Sequence, residues 1–371
     1  MEVTVNRDAL LKTLGRAYGI IEKKSTLPIL SNVLIEADNS KIKITATDLD
    51  IIYVEEISSV EIKKSGSTTT SANILYEILR KLQVGSKITL TLQDLNRLKL
   101  ETGKSRFNLL CIAPDNFPLS NEDFKEKIIK IKPKKLLQLL NKTKISVSND
   151  ETRHYLNGIY LHKIIIKEKT YLTGVATDSH RLSLSSIEID ANSDFESIIL
   201  PKKTIFQLTS LLEESSQDIQ ISNNKSKIKF EIENGVLISK VIDGKFPDYR
   251  RVIPQNNEKK LKTKLTEFKS SIDRVVSVSS DKKDGVKMAL SKDNLKLMVN
   301  SPNSGEGSEI INAEFNSEQM SISFNSKYLI DIASQIENEY IILNLKDPGS
   351  PVLIQDMSDK DSLYVVMPMK I

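Results

Sequence analysis

The sequence has little of what metal centres and common catalytic sites need: 371 residues include no tryptophan, one cysteine and three histidines. The lone Cys111 excludes a disulfide framework within the chain and any zinc site built from several cysteines. No H-E-x-x-H spacing, phosphate-binding glycine loop or G-x-S-x-G elbow occurs. We therefore predict no metal and no other cofactor.

Long apolar runs are also missing, since none approaches the ~20 residues that span a bilayer. The first residues, MEVTVNRDALLK, lack the basic-then-apolar pattern of a signal peptide. With one cysteine, this pattern predicts a cytoplasmic protein without a membrane partner. Hydrophobic residues make up 39% and charged residues 27%, which favours a globular chain over a disordered one.

Two motifs recur after about one domain length. The Ala-Thr-Asp of TATDLDIIYV, which begins at Thr45, returns in VATDSHRLSL, which begins at Val175. The Phe-Pro pair of APDNFP returns in IDGKFPDY with its phenylalanine at Phe246 instead of Phe117. A motif order that repeats at this spacing indicates a duplicated structural unit.

Each unit has the order helix, strands, helix, strands. Apolar residues spaced i, i+3, i+4 predict six amphipathic helices, in the windows Asn6–Ile21, Ser71–Leu82, Lys132–Lys144, Pro201–Glu214, Lys264–Val276 and Asn325–Ile336. Alternation such as KIKIT and LSLSSIEI predicts strands with one buried face. Tight polar turns between such strands indicate antiparallel sheets with helices on one face, an α+β class. We predict three tandem domains: 1–124, 125–255 and 256–371.

The predicted helices are more basic than the rest of the chain. They contain 16 basic and 7 acidic side chains, a net +9 in a chain of net +4, so the remainder carries −5. This distribution favours a surface that faces phosphate, although lysines on ordinary solvated helix faces would give the same count. Few aromatic residues lie among these charges, so contact with the phosphate backbone without base reading is expected.

Asp178 and His180 raise the question of acid–base catalysis. The first copy of the motif keeps Thr-Asp but has Asp50 in place of the histidine. A structural role for Thr-Asp, ending a strand and binding backbone in a turn, is therefore favoured. An enzyme that uses these two residues and a sequence-specific DNA-binding protein remain alternatives.

Two further segments have unusual composition. DGKFPDYRRVIP, from Asp243 to Pro254, combines aromatic residues, arginines and rigid prolines, which fits a ligand groove or an interdomain linker. YVVMPMKI, from Tyr364 to Ile371, is apolar for a chain end. Its methionines fit either an adaptable pocket or the last strand of a core.

Six stretches occur in the order TLPILSNVLIE, GKSRFNLL, YLNGIYL, VATDSHRLSL, GKFPDYRRVIP and YVVMPMKI. With them the sequence closely resembles the beta subunit of bacterial DNA polymerase III, the DNA sliding clamp family, over essentially its whole length. The resemblance implies three clamp-type domains, with sheets outside and helices lining a central hole, and two chains joined head to tail around duplex DNA. It implies a non-enzymatic processivity factor.

The expected partners are duplex DNA bound without sequence preference, a second copy of the chain, and proteins that carry short linear motifs. Those proteins are the polymerase III alpha subunit, the clamp loader, other DNA polymerases and repair proteins. The resemblance implies that they bind a pocket between the second and third domains. Its residues would be Arg153, Tyr155, Leu156, Thr177, His180, Arg181, Leu182, Pro247, Arg251, Val252, Asn325, Tyr328, Val365, Met367, Pro368 and Met369.

Two residues near this pocket depart from the family pattern. Ser179 replaces the usual glycine, and His154 stands where an aromatic residue is common. Both are expected to change the rim of the pocket.

The resemblance also implies surfaces for DNA and for the second chain. The predicted DNA-facing residues are Arg7, Lys12, Arg16, Lys24, Arg80, Lys81, Lys134, Lys135, Lys142, Lys202 and Lys203. Among them, Lys24 matches a family arginine in a loop that touches DNA. The predicted dimer interface pairs Arg106, Phe107 and Leu109, on an edge strand of the first domain, with Val278 of the third.

Overall fold

The structure is a computed structural model, and it describes residues 1–22, 26–94, 96–119, 124, 128–191, 193, 195–279, 285–302 and 304–369. One predicted site residue, Lys24, lies outside the described residues.

All six predicted helices are confirmed. They are α1 Arg7–Tyr18, α2 Ala72–Lys81, α3 Pro133–Lys144, α4 Lys202–Glu214, α5 Leu265–Val276 and α6 Ser326–Ala333. Side-chain caps explain several starts, because Asn6, Ser71 and Asn325 each accept a hydrogen bond from a backbone N–H in the following first turn. No helix among the described residues is long and apolar enough to cross a membrane.

In the described part of the chain, thirteen strands form the first sheet. They are β1 Glu2–Asn6, β2 Asn32–Asp38, β3 Lys41–Thr47, β4 Ile51–Ile57, β5 Glu61–Lys64, β6 Gly66–Ser71, β7 Lys87–Asp94, β8 Arg97–Thr102, β9 Ser105–Ile112, β10 Ile129–Ile131, β15 Ile219–Asn223, β16 Lys227–Ile232 and β17 Gly235–Lys240. Their order across the sheet is β10-β15-β16-β17-β4-β3-β2-β6-β9-β8-β7-β1-β5, and the neighbouring pairs are antiparallel.

Among the residues that the structure describes, twelve strands form the second sheet. They are β11 Gly158–Ile166, β12 Lys169–Thr177, β13 Arg181–Ile189, β14 Ile198–Pro201, β18 Lys259–Lys264, β19 Gly285–Leu290, β20 Asn294–Ser301, β21 Gly305–Phe315, β22 Met320–Asn325, β23 Tyr340–Leu345, β24 Val352–Asp356 and β25 Asp359–Val366. Their order is β14-β11-β12-β13-β25-β24-β23-β18-β21-β20-β19-β22. The sheets and helices together confirm the predicted α+β class.

The chain divides into two compact units, and each contains one sheet. The first unit consists of Met1–Leu136, Asn192–Glu196 and Lys203–Val241. The second consists of Leu137–Ala191, Ser197–Lys202 and Ile242–Ile371. Segments of the predicted second domain occur in both units, because the strands of that repeat pair with two different sheets. The boundaries 1–124, 125–255 and 256–371 stay a prediction.

Each unit has its own buried core. In the first unit Leu10 and Leu14 of α1 are fully buried, as is Ile44 of β3. In the second unit Phe268 of α5 and Phe324 of β22 belong to one large apolar cluster. The alternating burial of strands such as β4 is what the period-two sequence pattern predicted.

The Thr-Asp motif of the first unit is a polar turn between β3 and β4. Thr47 Oγ1 donates a hydrogen bond to the Ile51 carbonyl oxygen at 2.9 Å and accepts one from the Leu49 N–H at 3.0 Å. Asp48 Oδ1 accepts hydrogen bonds from the N–H groups of Asp50 and Ile51. Leu49 has φ 78°, in the left-handed region that non-glycine residues rarely occupy. The predicted structural role of Thr-Asp is confirmed here.

Candidate functional site

The second unit contains a cavity of about 300 Å³, a size typical of small ligand sites. Four segments of the chain converge on it: the end of a 3-10 helix, the turn between β12 and β13, the start of another 3-10 helix, and the end of β25. The lining residues are Arg153, Tyr155, Leu156, Thr177, Ser179, Arg181, Leu182, Pro247, Asp248, Tyr249, Val252, Val365 and Met367.

The turn from Thr177 to Arg181 has the same hydrogen bonds as the turn in the first unit. Thr177 Oγ1 donates to the Arg181 carbonyl oxygen at 2.7 Å and accepts from the Ser179 N–H at 3.1 Å. Asp178 Oδ1 accepts from the N–H groups of His180 and Arg181, each at 3.0 Å. The carboxylate therefore binds backbone and is not the partner of a catalytic histidine ring, which removes the basis for the acid–base alternative.

Arg181 ties this turn to α6. Its Nε donates to Asp178 Oδ2 at 3.1 Å, and its Nη1 donates to Asp331 Oδ2 at 2.7 Å. The guanidinium carbon also lies 4.3 Å from the ring centroid of Tyr328. Arg181 is only 8% exposed, so these partners compensate for taking its charge out of water. Burial and the nearby Asp178 carboxylate raise the pKa of Tyr328.

A stack of aromatic rings contacts the lining of the cavity through Tyr249. The rings of Phe246 and Tyr160 stack at 5.0 Å, and those of Tyr160 and His162 stack at 4.6 Å. His162 Nε2 lies 2.9 Å from the hydroxyl of Tyr249, which lines the cavity. Leu156, like Phe246 and Tyr249, belongs to one buried apolar cluster. The phenylalanine and tyrosine of GKFPDYRRV thus anchor the segment, while Pro247 and Val252 of the same segment line the cavity.

Burial holds His162 in its neutral form. Desolvation, together with the positive charge of Arg250, lowers the pKa of His162 from 6.5 to about 4. A neutral imidazole fits a packed aromatic stack, since no charge has to be accommodated there. The aromatic stack behind Tyr249 is therefore uncharged at neutral pH.

One side of the cavity rim is held by Arg153. Its Nε donates to Asp150 Oδ2 at 2.8 Å and its Nη1 donates to Ser179 Oγ at 2.6 Å. Hydrogen bonds from Thr152 and Arg153 lower the pKa of Asp150. Ser179 has φ 78°, a conformation for which glycine is the ordinary choice. The hydroxyl of this serine is thus used to position the arginine across the rim.

The end of the chain forms another side. The N–H of Met367 donates to the His180 carbonyl oxygen at 2.8 Å, and the N–H of Met369 donates to the Ser323 carbonyl oxygen at 2.7 Å. Met367 is 39% exposed and Val252 is 51% exposed. Apolar side chains that remain exposed beside a cavity are typical of a binding surface.

The cavity brings ten of the sixteen predicted pocket residues together. They are Arg153, Tyr155, Leu156, Thr177, Arg181, Leu182, Pro247, Val252, Val365 and Met367. Ser179, which was expected to change the rim, also lines the cavity. Two further lining residues, Asp248 and Tyr249, were not predicted. Both lie between predicted neighbours, so the signal that could have found them was their position inside the matched motif GKFPDYRRV.

Six predicted residues lie outside the lining: His180, Arg251, Asn325, Tyr328, Pro368 and Met369. Asn325 caps α6, and the Tyr328 ring lies against Arg181, which lines the cavity. The Arg251 side chain is 85% exposed and pairs with Asp248 at 2.9 Å. Met369 lines a different cavity, with residues of β19, β20 and β21.

The basic residues predicted to face DNA differ in exposure. Six are exposed: Lys12, Arg80, Lys81, Lys134, Lys135 and Lys203. Arg16 and Lys202 are half-buried. Several of these charges already have partners, since Arg80 and Lys81 both pair with Glu77 and Arg16 pairs with Glu55 and Glu214. The pairs with Glu77 are exposed and therefore weak, whereas the pair between Arg16 and Glu55 is largely buried.

The assignment of Arg7 and Lys142 to a DNA-facing surface is wrong. Arg7 is buried, and its guanidinium donates to the carbonyl oxygens of Leu79 and Arg80 at the end of α2, where helix carbonyls lack partners. Lys142 is also buried, and its ammonium contacts Asp359. The Arg7 guanidinium also pairs with Asp8 at 2.8 Å. Both cations are buried and paired within the chain, so neither is available to phosphate.

The predicted interface residues lie on β9 and after α5. Arg106 is exposed, Phe107 and Val278 are half-buried, and Leu109 is buried. Leu109 therefore offers little surface to another chain. Leu110, which the prediction omitted, is 79% exposed on the same strand.

Among the described residues, no group of three or more histidine, cysteine, aspartate or glutamate side chains is arranged to hold a metal ion. The site's chemistry is instead that of an apolar cavity with a buried, paired arginine and an exposed rim. Such a site binds an apolar side chain and fixes its orientation with a few polar groups.

Three family models match consecutive segments of the chain. They describe the N-terminal, central and C-terminal domains of the DNA polymerase III beta subunit and match residues 1–121, 130–248 and 250–370. The beta sliding clamp of Caulobacter vibrioides is 36% identical over 373 residues, and that of Escherichia coli K12 is 31% identical over 371 residues. Each comparison covers 100% of both chains.

Solved structures give the same result. A crystal structure of the C. crescentus beta sliding clamp superposes with a TM-score of 0.97 at 36% identity, covering 100% of this chain and 99% of that one. The sliding clamp of Bartonella birtlesii, bound to griselimycin, superposes with a TM-score of 0.96 at 38% identity, covering 100% of both chains.

Fold and site thus define a protein of three tandem clamp-type domains built from antiparallel sheets and helices. The chain belongs to the DNA polymerase III beta subunit family, the beta sliding clamps. Members of this family act in DNA replication without catalysing a reaction, in agreement with the prediction that the chain is not an enzyme.

Proposed function

We propose that two copies of this chain join head to tail in a ring around duplex DNA, and that the ring tethers the replicative polymerase through the cavity of the second unit. Such a ring would act in the cytoplasm as a processivity factor. The observation that carries the proposal is the pattern of strand pairing between repeats. The three matched family segments support the domain boundaries 1–124, 125–255 and 256–371.

Within the chain, the last strand of one repeat pairs with the strand that follows the Thr-Asp turn of the preceding repeat. In the first unit β17 pairs with β4, with Ser239 opposite Ile51. In the second unit β25 pairs with β13, with Val366 opposite Arg181. The repeats therefore use one joint twice, and a third copy of it requires β9 and β21, the corresponding strands that remain.

Both of these strands have an available edge in the described part of the chain. β9 pairs with β8 along 105–110, and its other side meets β6 only at Cys111 and Ile112. β21 pairs with β20 along 305–312 and meets β18 only at 313–315. Leu110 is 79% exposed and Ile310 is 64% exposed on these strands. An exposed strand edge with apolar side chains is a template for pairing with another chain.

A heterologous contact of this kind either closes into a ring or extends into a filament. Two of the three joints are made within the chain, so one joint is left for another copy, and we propose that two copies close the ring. The exposed helix cations would supply weak, register-free contact with phosphate, which permits sliding because no base sequence is preferred. A ring that stays on DNA raises the effective concentration of whatever it tethers.

The tether would be the cavity of the second unit. Its apolar lining residues and half-exposed rim fit the aliphatic or aromatic anchor of a short linear motif. Such anchor residues contribute most of the binding energy of a peptide interface. Sliding clamps from B. birtlesii and Pseudomonas aeruginosa have structures with bound griselimycin, so relatives with this fold hold a ligand. The polymerase III alpha subunit, the clamp loader, and other polymerases and repair proteins are the proposed partners.

Sedimentation of an edge variant tests the ring. Leu110→Lys with Ile310→Lys places like charges on both edges and is expected to shift the protein from dimer to monomer. Ile165→Lys is the matched control, since Ile165 is 69% exposed on β11 outside both edges. A dimer that persists in the double variant would refute the joint.

Retention on DNA tests encirclement. The protein loaded on nicked circular DNA should remain bound in moderate salt and should leave once the circle is linearised. Lys12→Glu with Arg80→Glu and Lys81→Glu should shorten retention, whereas Lys63→Glu, on the exposed strand β5, should not. Equal retention on linear and circular DNA would contradict a ring.

Polymerase stimulation tests the tether. Val252→Asp adds a charge to the rim of the cavity and is expected to reduce stimulation by at least about tenfold, because an apolar anchor would face a carboxylate. Val84→Asp is the control, since Val84 is 75% exposed outside the cavity. Normal stimulation by Val252→Asp, with an intact dimer, would assign the tether to another surface.

A further inference from the structure

The first unit contains a cavity in the place that corresponds, by repeat, to the cavity of the second unit. Its volume is about 130 Å³. The lining residues are Thr47, Leu49, Asp50, Ile52, Pro118, Leu119, Lys227, Ile238 and Lys240. All of them belong to the first unit.

Hydrogen bonds and strand register define which residues of the two cavities are equivalent. The N–H of Lys240 donates to the Asp50 carbonyl oxygen at 2.8 Å, as the N–H of Met367 does to that of His180 at 2.8 Å. Ile238 pairs with Ile52 in the first sheet. In the second sheet the matching pair is Val365 and Leu182.

Seven of the nine lining residues have a counterpart that lines the larger cavity. The pairs are Thr47 and Thr177, Leu49 and Ser179, Ile52 and Leu182, Pro118 and Pro247, Leu119 and Asp248, Ile238 and Val365, and Lys240 and Met367. The backbone frame is therefore shared, and the difference lies in the side chains.

Those side chains point to a different ligand. Two exposed leucines, Leu49 at 44% and Leu119 at 54%, stand where the larger cavity has Ser179 and Asp248. Lys240 stands where that cavity has a methionine. An apolar opening of this size beside a positive charge fits one aliphatic side chain next to an acidic group.

Two lysines flank the opening. Lys227 and Lys240 lie opposite each other on β16 and β17. The ammonium of Lys240 is 3.0 Å from Asp50 Oδ1, and both side chains are more than half exposed. Such an exposed pair is weak, so a carboxylate from a ligand can replace Asp50 at little cost.

We propose that this cavity is a second peptide site, which takes one aliphatic side chain from an acidic linear segment of a partner protein. The aliphatic side chain lies against Leu49, Leu119 and Ile238, and neighbouring carboxylates contact Lys227 and Lys240. The site is distinct from the cavity of the second unit. With room for a single side chain, it binds more weakly and adds to a stronger contact elsewhere on the same partner.

Methyl NMR of the full-length chain tests the site with the peptide acetyl-Glu-Leu-Glu-amide as the probe. The methyl signals of Leu49, Ile52, Leu119 and Ile238 should shift with saturation, at a Kd on the order of 1 mM. Lys227→Glu with Lys240→Glu should weaken this Kd by at least about tenfold, because the ligand carboxylates then face like charges. Lys130→Glu, an exposed change on β10 outside the cavity, is the control and should leave the Kd unchanged.

Three outcomes would overturn the proposal. They are the absence of saturable shifts, equal shifts with acetyl-Lys-Leu-Lys-amide or inorganic phosphate, and an unchanged Kd in the double variant. The methyl signals of Leu182, Val252 and Val365 report the larger cavity in the same spectra. Binding there and not at Leu49 would leave the proposed tether intact while excluding the second site.

Discussion

The two Thr-Asp turns have the same backbone conformation but different surroundings. Leu49 and Ser179 share φ 78°, and the threonine and aspartate bonds of the two turns match atom for atom. After this common turn, Ile51 is an apolar core residue, whereas Arg181 is a buried cation joined to α6. The two turns thus share one backbone conformation, and the residue that follows each turn decides what that turn contacts.

Replacing the buried Arg181 should produce the largest difference in stability between the two turns. Arg181→Ala leaves Asp178 and Asp331 without their shared cation and is expected to cost about 3 kcal/mol of unfolding free energy, because breaking one side of a buried ion pair uncovers the other. Hydrogen exchange should show the loss of protection in β13 and α6.

The matched comparisons for that variant are Ile51→Val and Arg251→Ala. Ile51→Val removes one buried methyl group at the equivalent position and should cost about 1 kcal/mol. Arg251→Ala changes an exposed side chain and should stay within about 0.5 kcal/mol of the parent. An Arg181→Ala protein as stable as Arg251→Ala would show that Arg181 and its ion pairs do not stabilise the fold.

Low pH should destabilise the second unit through a histidine side chain, a type of residue that the first unit lacks. All three histidines, His154, His162 and His180, belong to the second unit. The pKa of His162 is about 4 in the folded chain, against an ordinary 6.5. The unfolded chain therefore binds the proton first, so this contribution is fully present above pH 6.5 and is lost as pH falls from 6.5 to 4. The loss amounts to about 3 kcal/mol.

Hydrogen exchange between pH 7 and pH 4 checks this difference, with amides of β11 and β12 opening more than those of β3 and β4. His162→Phe keeps a ring in the stack and cannot take up a proton, so its stability should vary less over that range. It should cost about 1 kcal/mol at pH 7, since the contact with Tyr249 is lost. Parallel pH profiles of the parent and the variant would show that His162 does not titrate as described.

The smallest expected difference concerns the left-handed residues of the two turns. Leu49→Gly relieves the conformational cost of a side chain at positive φ and should stabilise the first unit by up to about 1 kcal/mol. Ser179→Gly relieves the same cost but removes the hydroxyl that accepts from Arg153. Its gain should be smaller by about 1 kcal/mol. Equal gains in thermal unfolding would mean that the Ser179–Arg153 contact contributes nothing.

Much of the secondary structure could be predicted from the sequence, because it depends on local interactions. The helices were predictable because apolar spacing and capping residues such as Asn6 and Asn325 act within a few positions. The Thr-Asp turn was predictable because all its hydrogen bonds span five residues. Ten of the predicted pocket residues line one cavity, and they could be named from the sequence because they lie in the motifs that carry the family resemblance.

What the sequence determined by itself is the threefold order of elements and the conformation of the two turns, since both depend on neighbours along the chain. The tertiary structure alone decided which cations are available. Arg7 binds a carbonyl 72 residues away, and Lys142 meets a carboxylate 217 residues away. It also decided which strand edges are paired, because strand pairing depends on segments brought together from distant parts of the chain.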